Sequence, residues 1–331
     1  MRGYRTLRRQ VGLWCCAVML GSMASIAWAE GVTITPLGSE NGELCPMDRA
    51  LVLEDPTGTR LLYDPGRTVA GANDPRLGDI DVVLISHMHA DHVGDKHIKA
   101  PNSGCAALGE TESDLPATNA VKIAVEHGAK MVTGSEMPAF FAAKLRANGG
   151  DPDQSVLARF GGSVQVGGVT IATVPALHSN GVDPSLVEGA LGEQMAASGL
   201  SGHVGPATGY MLTFSNGLVV YLSGDTGLMA AQKSLVHDYY GAKLAVVNIG
   251  DTYTMGPQEA AYAVNEWIQP TSVIASHVNE VATQQGQLVP SSKTEQFIEA
   301  TDVPVYLPRS GFSMRFDEQG RCLEGCDLPT P

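Results

Sequence analysis

The chain has 331 residues, 44% of them apolar, with 21 Lys plus Arg against 35 Asp plus Glu. That length suits one large α/β domain or two small ones and is enough for a sizeable core. A formal net charge of −14 argues against a surface built for nucleic-acid phosphates or for anionic lipid.

The N-terminus carries Arg2, Arg5, Arg8 and Arg9, then an apolar run over 11–26, then Ala27-Trp28-Ala29. This order of charge, apolar run and small-residue site predicts a secretory signal peptide over residues 1–29. The alternatives are an uncleaved anchor, for which the run is short, and a twin-arginine signal at Arg8-Arg9. The expectation is a periplasmic or secreted domain, residues 30–331, with no membrane contact after cleavage. Cys15 and Cys16 would leave with the signal, and Cys45, Cys105, Cys322 and Cys326 would remain. Export permits disulfides, and the favoured pairs are Cys322–Cys326 and Cys45–Cys105. The rival is a zinc site of four cysteines, whose spacings here lack paired C-x-x-C knuckles.

Short strands are predicted over 32–36, 50–54 and 60–63, an antiparallel start, with the third ending in Asp64-Pro65-Gly66. The buried run 82–85 is a strand that ends in Ser-His-Met-His-Ala-Asp-His. Residues 98–118 read as a long polar loop, 119–128 as a helix, 130–132 as a strand, and 136–147 as a helix closed by Gly149-Gly150. Residues 164–166 and 169–174 form a hairpin running into His178. Another long loop spans 179–208, with a short helix near 186–197. A second hairpin, 209–214 with 218–222, turns at Ser215-Asn216-Gly217 and ends in Gly224-Asp225-Thr226-Gly227. Strand 244–248, a helix from Gly256 through Trp267, strand 272–275 ending in His277, helix 291–300 and a strand near 312–316 complete the chain. Strands interleaved with helices argue for α/β architecture with mixed sheets.

The chemistry lies in a recurrence. Three of the nine histidines, His87, His89 and His92, fall within six residues beside Asp91. Imidazole and carboxylate are ligands for zinc and similar ions. His178, Asp225 and His277 each follow a separate buried strand, and strand ends can converge on one sheet edge. A lone His178 or His277 would read as an ordinary structural histidine. Together with the cluster they read as ligands.

His-x-His-x-Asp-His, a later His, Gly-Asp-Thr-Gly and a final His, in that order, resemble the metallo-β-lactamase superfamily. Leu62-Tyr63-Asp64-Pro65-Gly66 and the stretch 249–257 bring the resemblance closer to the UlaG-like metal-dependent hydrolases. It implies a four-layer αββα sandwich, the metallo-β-lactamase fold, with a two-metal site. One ion would take His87, His89 and His178. The other would take Asp91, His92 and His277, with Asp225 as the bridge. Asp64 would orient metal-binding histidines. The ions implied are two divalent cations, zinc first, with manganese or iron as alternatives.

Two cations roughly 3.5–4 Å apart would hold a water and lower its pKa, giving a bridging hydroxide that attacks the substrate. Asp91 is also the candidate catalytic proton carrier. Asp225 stands where zinc β-lactamases with a cysteine ligand have that cysteine, which argues against β-lactam cleavage. His89 stands where oxygen-reducing diiron relatives have Glu. Val278 follows the last His where close UlaG-like relatives have Tyr. The function expected is hydrolysis of a small ester or lactone, with a phosphodiester or a non-catalytic metal-binding protein as alternatives. Loops 98–118 and 179–208 are expected to shape the pocket. His203 and Tyr210 are candidate substrate contacts, weighed against surface or packing roles, while His97 reads as a supporting or surface residue and His127 and His237 read as helix residues.

Overall fold

The computed structural model describes residues 1, 3, 31–105 and 108–326. The signal-peptide reading rests on residues outside these. Among the described residues, no helix is long and apolar enough to cross a membrane.

Two mixed sheets face each other. The first has eight strands, in the order Cys322–Glu324, Met314–Phe316, Val32–Pro36, Leu51–Glu54, Arg60–Tyr63, Val82–Leu84, Lys130–Thr133 and Ser155–Leu157. The second has seven: Val305–Tyr306, Ser272–Ser276, Leu244–Asn248, Val219–Leu222, Thr208–Thr213, Val169–Pro175 and Ser163–Val166. Strand alternation sorts the side chains into layers. Leu51, Leu53, Val82 and Leu84 point inward and meet Ile171, Leu212, Val220 and Val246 of the opposite sheet. Their neighbours Val52, Val83 and Ile85 point outward and pack under helices Asn119–His127 and Met137–Ala147. Outward residues of the second sheet, among them Tyr221, Ala245 and Val273, pack with residues of Pro257–Tyr262 and Lys293–Ala300. The result is the expected αββα sandwich.

The Asn119–His127 helix starts at Thr118, whose hydroxyl accepts the Val121 N–H, and stops at left-handed Gly128. The helix expected from Gly256 through Trp267 begins with Pro257 at its first position and widens into π-helical turns over Ala263–Ile268. Residues 98–118 are partly ordered by a hairpin, Lys96–Ile98 with Thr111–Ser113. Cys45 pairs with Cys105 and Cys322 with Cys326, as the sequence favoured.

Topology positions the site. Arg60–Tyr63 runs parallel to Val82–Leu84, and Val219–Leu222, Leu244–Asn248 and Ser272–Ser276 run parallel in the second sheet. Val169–Pro175 shares that direction, because both it and Val219–Leu222 are antiparallel to Thr208–Thr213. The C-terminal strand ends therefore bring Asp64, the His87–His92 cluster, His178, Asp225 and His277 to one edge of the sandwich.

Candidate metal centre

His87 leaves the Val82–Leu84 strand fully buried, and a one-turn helix over Ala90–Val93 presents Asp91 and His92. The turn depends on Gly66, where a Cβ would lie 2.2 Å from the Asp91 carbonyl oxygen. Only glycine allows that approach at its φ of +51°. The Gly66 N–H donates to the His92 carbonyl at 3.0 Å, which locks the two loops together.

Three donor groups form here, each with ligand atoms within 4.8 Å of one another: His87/His89/His178, His87/His92/Asp225 and Asp91/His92/His277. Asp225 touches both sides. Its Oδ2 lies 3.8 Å from His87 Nε2, 3.7 Å from His178 Nε2 and 3.0 Å from His277 Nε2, and its Oδ1 lies 3.4 Å from His92 Nε2.

Asp64 sets the tautomers. It is fully buried, and its Oδ2 lies 2.7 Å from His92 Nδ1 and accepts the Ser86 hydroxyl at 2.7 Å. Its Oδ1 accepts the Ser86 N–H at 2.8 Å. Neutral His92 therefore keeps its proton on Nδ1, which directs the Nε2 lone pair toward Asp225 and any ion held there. Because the Ser86 hydroxyl is spent on Asp64, its oxygen accepts from His87 Nδ1 at 3.0 Å, which frees His87 Nε2 in the same way. One carboxylate thus orients two imidazoles, one of them through a serine that the sequence reading did not single out.

The electrostatics favour cations. Burial opposes protonation of His92, but Asp225, Asp91 and Asp64 outweigh it and hold its pKa well above the ordinary value. A field that favours a proton there favours a divalent ion too. Burial, then the neighbouring His92, keeps His87 well below its usual pKa and neutral. For Asp225, burial works against the anion, yet the nearby His92 and His277 outweigh it and keep the carboxylate ionised. Asp91 follows the same pattern, with His92, His277 and Arg49 outweighing burial. A carboxylate held this far down is a better ligand than proton carrier.

The donor set fits a metal. His87 Nε2, His92 Nε2 and Asp225 Oδ1 are buried with no hydrogen-bond partner. Each such orphan costs about 1–3 kcal/mol unless something satisfies it. Lone pairs converging from imidazoles and carboxylates are what a divalent cation of the zinc type takes.

A cavity of about 640 Å³ opens over His89, Asp91, His178, Asp225 and His277. Loop 179–208 contributes Ser179, Gly181, Asp183, Pro184 and Ser201 to its wall, as expected. No described residue of loop 98–118 lines it. That loop instead ties Cys105 to Cys45, beside the wall residues Met47 and Arg49.

Arg49 was not visible as a site residue. It is buried, and its Nε and Nη2 donate to Asp91 Oδ2 at 3.3 and 3.1 Å. Nη2 also donates to Asn279 Oδ1 at 2.8 Å, and Nη1 donates to the Pro46 and Asp48 carbonyls at 2.9 and 3.3 Å. A buried arginine next to a motif carboxylate is a signal only once the fold places residue 49 beside residue 91.

Tyr210 is corrected. Its ring is fully buried between the sheets, and its hydroxyl lies 2.7 Å from the Ile85 carbonyl oxygen and 2.9 Å from that of Val132. It braces the strand ahead of the cluster and cannot reach substrate. His203 is exposed, pairs with Gly181 across a short two-stranded sheet, and is not part of the cavity wall. His97 is buried, with its Nδ1 2.7 Å from Asp114 Oδ2. His127 ends its helix with Nε2 3.0 Å from the Ala72 carbonyl oxygen.

An αββα sandwich with this His/Asp edge defines a metal-dependent hydrolase of the metallo-β-lactamase superfamily. The family described as the beta-lactamase superfamily domain matches residues 59–278, and the chain belongs to it. A UPF0173 metal-dependent hydrolase of Koribacter versatilis (strain Ellin345) is 30% identical over 261 residues, 78% of this chain and 91% of that protein. A second, from Methanopyrus kandleri, is 32% identical over 222 residues, 66% of this chain and 76% of that protein. Among solved structures, Igni18, a metallo hydrolase from Ignicoccus hospitalis, matches in fold with a TM-score of 0.55 at 21% identity. That match covers 86% of this chain and 99% of the other.

Proposed function

We propose that the chain is an exported hydrolase with two divalent metal ions that opens a small ester or lactone. The observation that carries the two-ion reading is Asp225. Its two oxygens lie within 3.8 Å of His87 and His178, two of the three imidazoles of one ligand group, and of His92 and His277, both imidazoles of the other. His87, His89 and His178 would hold one ion; Asp91, His92 and His277 would hold the second. Two ions so held would supply a hydroxide nucleophile near neutral pH and offset charge on the developing oxyanion.

The chain's own residues do the rest. Asp64, directly and through Ser86, fixes the tautomers of His92 and His87. Arg49 holds Asp91 in place, and Asp91, 23% exposed, lines the cavity beside the candidate ligands. Export is supported by the arginine-then-apolar N-terminal sequence and by two disulfides, which persist in oxidising compartments. The acidic chain favours small substrates of low charge over polyanions.

The test couples metal analysis to a panel of lactones, aryl esters and phosphodiesters. The expected result is two ions per folded chain, turnover of a lactone or ester, and loss of turnover in His87→Ala and Asp225→Ala. Turnover confined to phosphodiesters would replace the substrate reading, and two ions without any turnover would favour a binding protein. Fewer than one ion per folded chain would overturn the metal centre itself.

A further inference from the structure

The cavity wall contains two arginines, and they are used differently. Arg49 commits every guanidinium nitrogen to the protein: Nε and Nη2 to Asp91, Nη2 also to Asn279, and Nη1 to two backbone carbonyls. Arg67 commits one edge only. Its Nε donates to Asp95 Oδ1 at 2.7 Å and its Nη2 to Asp95 Oδ2 at 3.1 Å. Nη1, with two N–H groups, makes no hydrogen bond to any described residue, and the side chain is 23% exposed while lining the cavity.

We propose that Arg67 is the anion anchor of the cavity, and that the substrate is a monoanion whose carboxylate docks on the free Nη1 edge. This rests on the hydrolase reading above and narrows its substrate class to esters or lactones that also carry one carboxylate.

Three features support it. The anchor is rigid: the fork on Asp95 fixes the guanidinium plane, and the Arg67 carbonyl accepts the Ile98 N–H at 3.0 Å. It is also registered to the metal centre, since the neighbouring Gly66 N–H donates to the His92 carbonyl. A carboxylate held there has its distance from the ligand cluster set by backbone rather than by a mobile side chain. Finally, the wall limits the charge. Asp183, kept ionised by the hydroxyl and N–H of Ser185, faces the same cavity and repels a second negative group. Met47, Met88, Pro184 and Tyr253 offer apolar surface to the rest of the molecule.

The test uses the purified full chain with its metals and matched ligand pairs. Phenylacetate and phenylacetamide have the same shape and differ in charge, and phenyl phosphate is the dianion. Binding is read by calorimetry. A lactone with a free carboxylate and its carboxamide are compared by kcat/KM. The expected result is a preference for the carboxylate of about tenfold or more, the usual scale of a charge-assisted pair. Arg67→Met should abolish that preference, chiefly through KM, and Arg67→Lys should restore part of it. Phenyl phosphate should bind no tighter than phenylacetate.

Arg67→Met with Asp95→Asn leaves no carboxylate stranded and should give the same loss, which guards against a folding defect. An unchanged preference in Arg67→Met would mean that the metals alone read the carboxylate, and would overturn the proposal. So would equal binding of acid and amide by the parent chain. Absence of lactone turnover together with an Arg67-dependent binding preference would overturn the reaction class while leaving the anchor standing.

Discussion

Asp64→Asn is the sharpest probe of the centre, because it changes hydrogen-bond polarity and little else. Asp64 sits at φ +40°, in the left-handed region that asparagine tolerates, so the backbone is spared. The carboxylate accepts from three donors: the Ser86 N–H, the Ser86 hydroxyl and His92 Nδ1. An amide has one acceptor oxygen and one donor nitrogen. If the oxygen keeps the Ser86 N–H, the amide N–H₂ faces the Nδ1–H of His92. If the amide flips, it faces the Ser86 N–H instead.

In the first arrangement His92 must move its proton to Nε2, the atom needed for a metal. In the second, a buried backbone donor is stranded. Losing bonds to a charged acceptor costs about 1.5–3 kcal/mol. Loss of a partner that orients a metal-bound histidine lowers affinity by about 10–100-fold. The assay is competition with a chromophoric chelator, with circular dichroism to confirm folding and imidazole nitrogen NMR to read the tautomer. Metal affinity within about twofold of the parent, in a folded Asp64→Asn protein, would refute the reasoning.

Other outcomes follow from the same contacts. Arg49→Met should weaken metal binding at the Asp91 side by about 10–100-fold in chelator competition. Arg49→Lys should not rescue it, because an ammonium cannot fork to Asp91 and Asn279 together. Tyr210→Phe should cost about 1–2 kcal/mol in urea denaturation with KM unchanged. A raised KM at unchanged stability would put the phenol in the substrate's path. Asp74 is held below its usual pKa: burial opposes this, and bonds from Arg76 and the Ala70 N–H outweigh it. A depressed carboxylate pKa stabilises above the unfolded value and loses that stabilisation as pH falls through the folded value. The stability gap between the parent and Asp74→Asn should therefore be full above the ordinary carboxylate range and close only as pH falls below it, through the depressed folded-state value.

Much of the layering and most of the ligand set could be read from the sequence, because each ligand follows a buried apolar run that stops at a polar residue. Val82–Leu84 before His87 and Ser272–Ser276 before His277 are such runs, and parallel strands carry their ends to one edge. Residues 37–50 have no comparable pattern. Their place is set by long-range contacts: the Asp48 carboxylate accepts the Ser39 and Cys45 N–H groups, and Cys45 is bonded to Cys105. Arg49 and Met47 were therefore invisible as wall residues. Tyr210 misled for a different reason. Of Thr208–Thr213 all but the last residue are buried, because the strand is covered on both faces, so alternation could not tell an inter-sheet tyrosine from one facing a pocket. Loop 98–118 was expected at the pocket from its length alone, and length does not say which way a loop folds.

The Cys45–Cys105 bond closes a covalent ring, and that ring contains Arg49, Asp64, Arg67 and the whole 87–92 cluster. A ring opened at one peptide bond is still a single piece. A protease that nicks the exposed backbone near residues 99–102 would leave both new ends joined through sulfur, with the cluster still attached to the strand it hangs from. After reduction, the same nick would leave everything upstream of the cut, including four of the seven candidate metal ligands, with no covalent link to the segment that supplies His178, Asp225 and His277. The covalent continuity of a nicked centre thus rests on one bond that is not itself among the candidate ligands.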